Sequence, residues 1–502
     1  MAKYGQFKYS QQKYGITPNP NLLYGLEVDW DGDGIFDGSN EAIRMHKLQT
    51  DRGDEYFISG DGNGFEPHSI GFAIATIDNY DGRFDPYNTN SPLYGKLAPG
   101  KLVRLSVRDS AGGTKHEIIT GVLQDIQPYG RRGDVDLTIE DGWRWLSDRV
   151  ATVELQTSIY ADDAILAILN AVKYPWGSEL DSGPDLIRYW WTAGKRAKSE
   201  IESVSNSGIG NVFVAADGKM KYYSRRRTDE AVMVLHENEL LKEVVMPQPW
   251  EFQRNIIQVT SHPRVQKESQ VIWTLRDKPQ LAQNQSIILW ATYSYENQDV
   301  PAIDVLAPVS GVDFTANTDE DGTGSDLTDD WTMVVTPYST TAKVVITNTG
   351  AITGYPTLAQ LLGKPLHAPD AIKIIDEGTD AATMPRELNL DMAWQQDYNV
   401  AADLAGFLKD FLSDPQFFPT IIIEGRPSIQ FGLDLYDKVS LTLNTWGVDL
   451  NFRVGKIRHK FVSDNGQHVR TEIKLFPVYI PPVSNYWDLG VSTLGVDTYL
   501  GV

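Results

Sequence analysis

Asp78-Asn-Tyr-Asp-Gly-Arg-Phe-Asp-Pro-Tyr-Asn-Thr-Asn-Ser-Pro-Leu-Tyr-Gly-Lys-Leu-Ala-Pro-Gly-Lys-Leu-Val-Arg-Leu105 is the stretch on which the architecture turns. It is a long run of turn formers feeding an alternating strand. Asp81-Gly82, Asp85-Pro86, Ser91-Pro92 and Pro99-Gly100 each bend the chain for a physical reason: glycine accepts positive φ and proline fixes φ. The strand that follows, from Leu102 to Val107, sets Val103, Leu105 and Val107 on one face, the pattern of a half-buried β-strand. The run contains no obvious catalytic constellation.

The same style extends on both sides. Upstream, 69–77 carries Ile70, Phe72, Ile74 and Ile77; downstream, 117–126 and 134–139 follow, the latter alternating through Val135, Leu137 and Ile139. Turn residues punctuate these runs at short intervals, which predicts an antiparallel barrel or sandwich over the first 150 or so residues. The period then changes. Residues 158–172 place Ala164, Ile165, Ile168, Leu169 and Val172 on one helical face, with Asp162 and Asp163 in the first turn. A second helix is expected over 195–205, and Ala216-Asp-Gly-Lys219 makes a tight hairpin between 211–215 and 220–225. Together these read as a small α+β unit. From about 265 to 366 the composition shifts toward Thr, Asp, Val and Gly, with strands expected at 287–294, 331–337 and 343–347 and a polar loop at 319–330. That is a β-sandwich-like insertion. A helix over 401–412 is stopped by Asp414-Pro415, and strands resume from Ile421 to Phe476.

One internal echo stands out. Val103, Leu105 and Val107, followed by Gly121-Val-Leu, have counterparts in Val439, Leu441 and Leu443, followed by Gly455-Lys-Ile. Chance likeness between strand patterns is one reading. The other is that both ends of the chain build the same kind of β-barrel.

At 502 residues several domains are expected, and 41% hydrophobic residues are ample for packed interiors. The absence of cysteine excludes disulfides, thiolate metal sites and cysteine nucleophiles. The N-terminus lacks the apolar run of a signal peptide, and no apolar stretch approaches the roughly 20 residues that span a bilayer; no membrane insertion is expected. A net charge of −22 argues against sequence-reading contacts on DNA, which need clustered Lys and Arg. The acidity reads either as solubility or as a channel wall that a polyanion passes without sticking.

Asp29-Trp-Asp31-Gly-Asp33-Gly34-Ile35-Phe-Asp37 matches the first nine positions of a calcium loop. Carboxylates at positions one, three, five and nine would converge on a hard cation, and Ile35 would offer its carbonyl. The twelfth position departs, with Asn40 in place of a bidentate Glu and Glu41 beside it, and the flanks read as strand. Asp29, Asp31, Asp33, Ile35 and Asp37 are therefore candidate ligands for Ca2+, against the plainer reading of a solvated acidic turn. The eight histidines show no zinc spacing, and no nucleophile elbow, P-loop or dinucleotide fingerprint is present. No enzymatic activity is expected from these motifs. The acidic and aromatic clusters of the insertion leave a carbohydrate-binding or cell-wall-degrading role as the alternative function.

The run 78–105 also resembles a loop shared by tail hub proteins of long-tailed bacteriophages, the family related to the myophage baseplate hub. The likeness extends to Gly121–Pro128, Asp141–Leu146, Tyr189-Trp-Trp191, 211–223, 331–366, 433–475 and the C-terminal Tyr486–Gly490 and Thr498–Gly501. It implies a mainly β, multi-domain chain with an α+β insert. The expected domains are a flexible arm (1–20), a first hub barrel (21–150), a small α+β domain (151–235), a discontinuous second barrel (236–264 and 367–480), the inserted domain (265–366) and a tail (481–502). The resemblance further implies a homotrimer whose six barrels ring a central channel through which DNA passes. Its partners would be tail-tube and distal tail proteins, the tape-measure protein and tip or receptor-binding proteins. The place would be the tail tip of a virion assembled in the bacterial cytoplasm.

Overall fold

A computed structural model describes residues 22–36, 38–109, 113–129, 133–240, 244–445, 447–461 and 468–478. The expected arm at 1–20, the tail at 481–502 and Asp37 lie outside them. The described chain is mainly β, with five hydrophobic cores separated along the fold.

An 11-stranded sheet dominates. Its strands are numbered here in chain order: β1 (Leu23–Val28), β2 (Met45–Gly53), β3 (Phe72–Asp78), β4 (Leu102–Arg108), β5 (Lys115–Tyr129), β6 (Asp134–Asp141), β7 (Met233–His236), β8 (Thr420–Glu424), β9 (Lys438–Leu443), β10 (Val448–Phe461) and β11 (Val469–Pro477). The first six lie in the order β1-β4-β5-β6-β3-β2, and every pairing among them is antiparallel. Alternation buries Val103, Leu105 and Val107 with Ala73, Ala75, Ile77, Val135, Leu137 and Ile139 in one core. Burial of a Val, Leu or Ile side chain stabilises by about 1.5–3 kcal/mol each, so this stripe fixes the register.

The C-terminal strands repeat the first set. β3-β4-β5-β6 and β8-β9-β10-β11 share one plan: two hairpins, with the first strand of each set returning to the outer side of the last. The correspondence holds in register around a shared bulge, although β4–β5 has a second shift, between Leu105 and Ser106, that β9–β10 lacks. In β5 the pairing with β6 shifts between Leu123 and Asp125, and in β10 the pairing with β11 shifts between Val454 and Lys456. Gln124 and Gly455 are thus the same bulge. Three residues before it, Gly121 pairs with Val103 and Phe452 pairs with Val439. Beyond it, Ala75 flanks Leu137 as Ile421 flanks Ile473. The expected match of Val103, Leu105 and Val107 with Val439, Leu441 and Leu443 holds in this register. The expected match of Gly121 with Gly455 does not, because Gly455 corresponds to Gln124. The stretches between the paired strands, 109–114 and 444–447, differ in length, and spacing in sequence cannot track register across them.

The sheet runs continuously between the two units through β2 and β10. At 14 residues, β10 is long enough to pair two strands in succession along one edge, β9 over 448–453 and β2 over 456–460, while β11 takes the opposite edge. β7 adds in parallel to β9.

Between the units sit the other modules. Helices Ala161–Ala171 and Ala197–Asn206 pack with the Asn211–Val214/Met220–Tyr223 hairpin around Trp190, Ile201 and Tyr222. Within the range expected for the second barrel, a separate three-stranded sheet forms, with Ile256–Ser261 between Ile372–Glu377 and Glu387–Met392. Helix Tyr398–Leu412, capped by Asp397 accepting from Asn399 N, buries Leu404, Leu408 and Leu412 in the core shared with that sheet. The insertion has a five-stranded and a three-stranded sheet about a core containing Tyr293, Trp331 and Leu361, with a short two-stranded ribbon, Ser294–Tyr295 with Gln298–Asp299, beside them.

Candidate functional site

The place where the two units meet gathers a dense set of buried and ionic polar contacts. Arg52, on β2, is 4% exposed. Its guanidinium donates to Ile118 O at 3.1 Å, Val214 O at 3.0 Å and Asp434 Oδ1 at 2.8 Å. Asp434 accepts in turn from Ala216 N at 2.8 Å. One planar fork therefore binds the first unit, the α+β unit and the second unit together, a task that suits the five fixed donors of arginine.

Beside it, His459 on β10 is buried, its backbone N donating to Thr50 Oγ1 at 3.1 Å and its ring Nδ1 lying 2.9 Å from Thr471 Oγ1. Burial, with the positive charge of Arg52 adding to it, depresses the imidazole to about 3. The ring is neutral at physiological pH.

The outer side of the same seam is ionic. Arg458 reaches Asp51 at 2.8 Å and Glu55 at 2.8 Å, Lys456 reaches Asp51 at 3.2 Å and Glu55 at 2.9 Å, and Lys474 reaches Glu55 at 3.0 Å. Partial burial raises the Glu55 carboxyl, but the hydrogen bonds and charges of Lys456 and Lys474 outweigh it and hold the group at about 2. A buried polar core and an ionic rim together hold β2 on β10.

The turn-rich loop 79–101 is pinned from within. Phe84 is buried against Trp30, and Asn79 Oδ1 accepts from Phe84 N at 2.8 Å. Arg83 donates to Glu41 at 2.6 and 3.1 Å, and Glu41, 2% exposed, also takes Trp30 Nε1 and Ser39 Oγ. The loop leaves Tyr80 and Tyr87 exposed, at 81% and 90%. Neither Arg52 nor Glu41 was legible as a key residue in the sequence, since each acquires its role from partners far along the chain.

The candidate calcium ligands lie in a tight turn after β1. Asp29 is buried and its carboxylate accepts from Gly32 N at 2.7 Å, Asp33 N at 3.2 Å and Gly34 N at 2.8 Å. Asp33 accepts from Ile35 N at 2.9 Å, and Asp31 pairs with Lys96 at 2.5 Å. Asp37 lies outside the described residues. Among the described residues no group of three or more His, Asp or Glu side chains converges as a metal site, and a cation at Asp29 would compete with three backbone amides. Calcium is tested by thermal unfolding with added calcium and with chelator. The expected outcome of ion binding is a rise in Tm with calcium that Asp33→Ala abolishes, because a ligand stabilises only the state that holds it. A Tm unchanged by calcium would leave the loop as a hydrogen-bonded turn.

Two further surfaces complete the inventory. Arg225 pairs with Asp185, and Arg227 with Asp181 at 2.6 Å, so both are engaged within the chain, whereas Arg226 is exposed. In the insertion, an open cleft of about 1370 Å³ lies between strands Gln270–Thr274 and Ser286–Thr292, with Trp273, Trp290, Arg276 and Glu320 on its walls. Its rings and charges can stack on and hydrogen-bond a polar ligand.

No family model matches this chain, and no curated protein matches its sequence. Among solved structures, the chain is similar to the tail protein from Neisseria meningitidis MC58, with 10% identity over 90% of this chain and 96% of that one and a TM-score of 0.49. It is similar also to the 43 kDa tail protein of prophage MuSo2 from Shewanella oneidensis, with 10% identity over 91% of this chain and 98% of that one and a TM-score of 0.49. A component of the E. coli type VI secretion system aligns over 91% of this chain and 79% of that one, at 6% identity and a TM-score of 0.38.

Proposed function

We propose that this protein is a structural hub of a bacteriophage tail tip, a homotrimeric ring that joins the tail tube to the tip apparatus around the DNA channel. The observation that carries this reading is the internal duplication: two units with one strand plan and one bulge, joined edge to edge in a single sheet. A chain with two equivalent units presents six such units in a trimer and so can meet a sixfold tube on one side and a threefold tip on the other. The loop 78–105, whose wording resembles tail hubs, supports the same reading. Its work would be mechanical: matching symmetries, guiding DNA and anchoring the tape-measure and receptor-binding proteins, with no chemical step. The acidic excess, 67 against 45 basic residues, suits a wall along which phosphates are not gripped.

The expected mass in solution, or on isolated tails, is that of three chains of 56.1 kDa, and electron micrographs should show a threefold ring with a central opening. A monomer at every concentration and on tube ends alike, or an even-numbered assembly, would overturn the proposal. Sedimentation of the protein with purified cell wall would instead favour the carbohydrate-binding alternative.

A further inference from the structure

The seam between the units is an interface used once within the chain, and its two halves recur unpaired elsewhere. We propose that residues 126–128 of β5 in one copy pair antiparallel with residues 246–248 of a second copy, as 457–459 of β10 pair with 50–52 of β2 inside each chain. This rests on the ring reading above and names the edges that would close the ring.

The shared bulge places Asp125, Ile126, Gln127 and Pro128 in correspondence with Lys456, Ile457, Arg458 and His459. In the second unit, β10 is covered over this length by β2. In the first unit, the pairing of β5 with β4 ends at Val122, with Leu123 still bonded to Gly100 and Lys101, and among the described residues the only strand alongside 125–128 is β6. Ile126 N meets the side chain of its own neighbour, Asp125 Oδ1, at 2.8 Å. That is a local cap on an edge amide, which a partner carbonyl could replace.

The opposite half is equally placed. Val245 bridges Thr420 on β8 as Gln49 pairs with Ile74 on β3, so residues 245–248 stand where 49–52 of β2 stand. Thr420 N donates to Val245 O at 2.9 Å and Phe418 N to Pro247 O at 3.0 Å. Backbone groups alternate in direction along an extended strand, so those of Met246 and Gln248 face away from β8. The amide that Pro247 lacks is therefore one that would have faced inward, and the outward ladder is intact. Val245 and Trp250 are exposed here, at 61% and 60%. On the facing strand Pro128 can accept but not donate, which ends the ladder after it. The register that follows sets Gln248 opposite Ile126 and Pro247 opposite Gln127.

A second copy is the occupant because the interface already exists in the chain, and its repetition from the second unit of one copy to the first unit of the next is head-to-tail. Such contacts close a ring when the rotation from copy to copy divides a full turn, as the proposed trimer requires.

The chain has no cysteine, so a designed pair is read without background. Gln127 and Pro247 are both exposed, and opposed residues of an antiparallel pair lie about 4.5–5.5 Å apart, within disulfide reach. Full-length Gln127→Cys/Pro247→Cys protein, mildly oxidised, is expected to give covalent dimers and trimers that reduction dissolves. Each single variant should give no trimer, and a mixture of the two singles should stop at dimers. An assembled ring that forms no such bond overturns the edge pairing and leaves the ring standing; a monomer throughout overturns both. As a check on a folded chain without new cysteines, Gln248→Pro removes an outward amide from an exposed residue and should raise the concentration for assembly by about tenfold, the effect of one lost hydrogen bond. Unchanged assembly in that variant would also count against the pairing.

Discussion

Arg52→Met is expected to lower the free energy of unfolding by about 3 kcal/mol, the cost of unpairing the acceptors of a buried guanidinium, since Asp434 is only half-buried and keeps the amide of Ala216. The substitution keeps the volume of the stem but takes a donor from Asp434 and from the carbonyls of Ile118 and Val214. Urea unfolding checks it, with the midpoint falling at unchanged slope if the modules remain one cooperative unit. Arg52→Lys should rescue little, because a single ammonium cannot reach three acceptors set out in the plane of a fork. A loss under about 1 kcal/mol would show that packing alone holds the modules and that the fork is incidental.

The second large effect is acid lability of the seam. His459 is depressed from about 6.5 to about 3 in the folded chain. Below pH 6.5 the unfolded chain takes up a proton that the folded chain refuses. The stability from the neutral ring is thus complete above pH 6.5 and is lost as pH falls from there toward 3, at up to about 1.4 kcal/mol per pH unit. Asp141, held at about 7, and Asp437, held at about 6, by burial act with the opposite sign, binding protons in the folded state and offsetting part of the loss. The comparison that isolates the histidine is therefore wild type against His459→Gln, followed by urea midpoints between pH 7 and 5. The variant should lose less on acidification, its slope differing by up to one proton. Parallel curves would mean that the ring does not titrate in that window. Because His459 meets Thr50 across β2 and β10, the expected first consequence of acid is separation of the two units.

The strands, helices and turns of this chain were largely written in local pattern. The alternation of Val103, Leu105 and Val107, the helical face from Ala164 to Leu169 and the tight turn at Asp217-Gly218 each bury or bend through residues close in sequence, and all appear in the structure. The likeness of the two ends was also legible, because the same inward face needs the same apolar positions. Its register was not. A bulge is a choice between two pairings of the same residues, and only the partner strand made Gln124 and Gly455 equivalent. The joining of the units in one sheet depended on which strand came to lie along β10, a matter of contacts some 400 residues apart in sequence. Nor could the sequence mark Arg52 among the 45 basic residues: a guanidinium is structural when desolvated and ordinary when wet, and the fold alone decides which. The acidic loop at Asp29 shows the same division: its spacing pointed to a cation, and only the fold showed that backbone amides of Gly32 and Gly34 also bond that carboxylate.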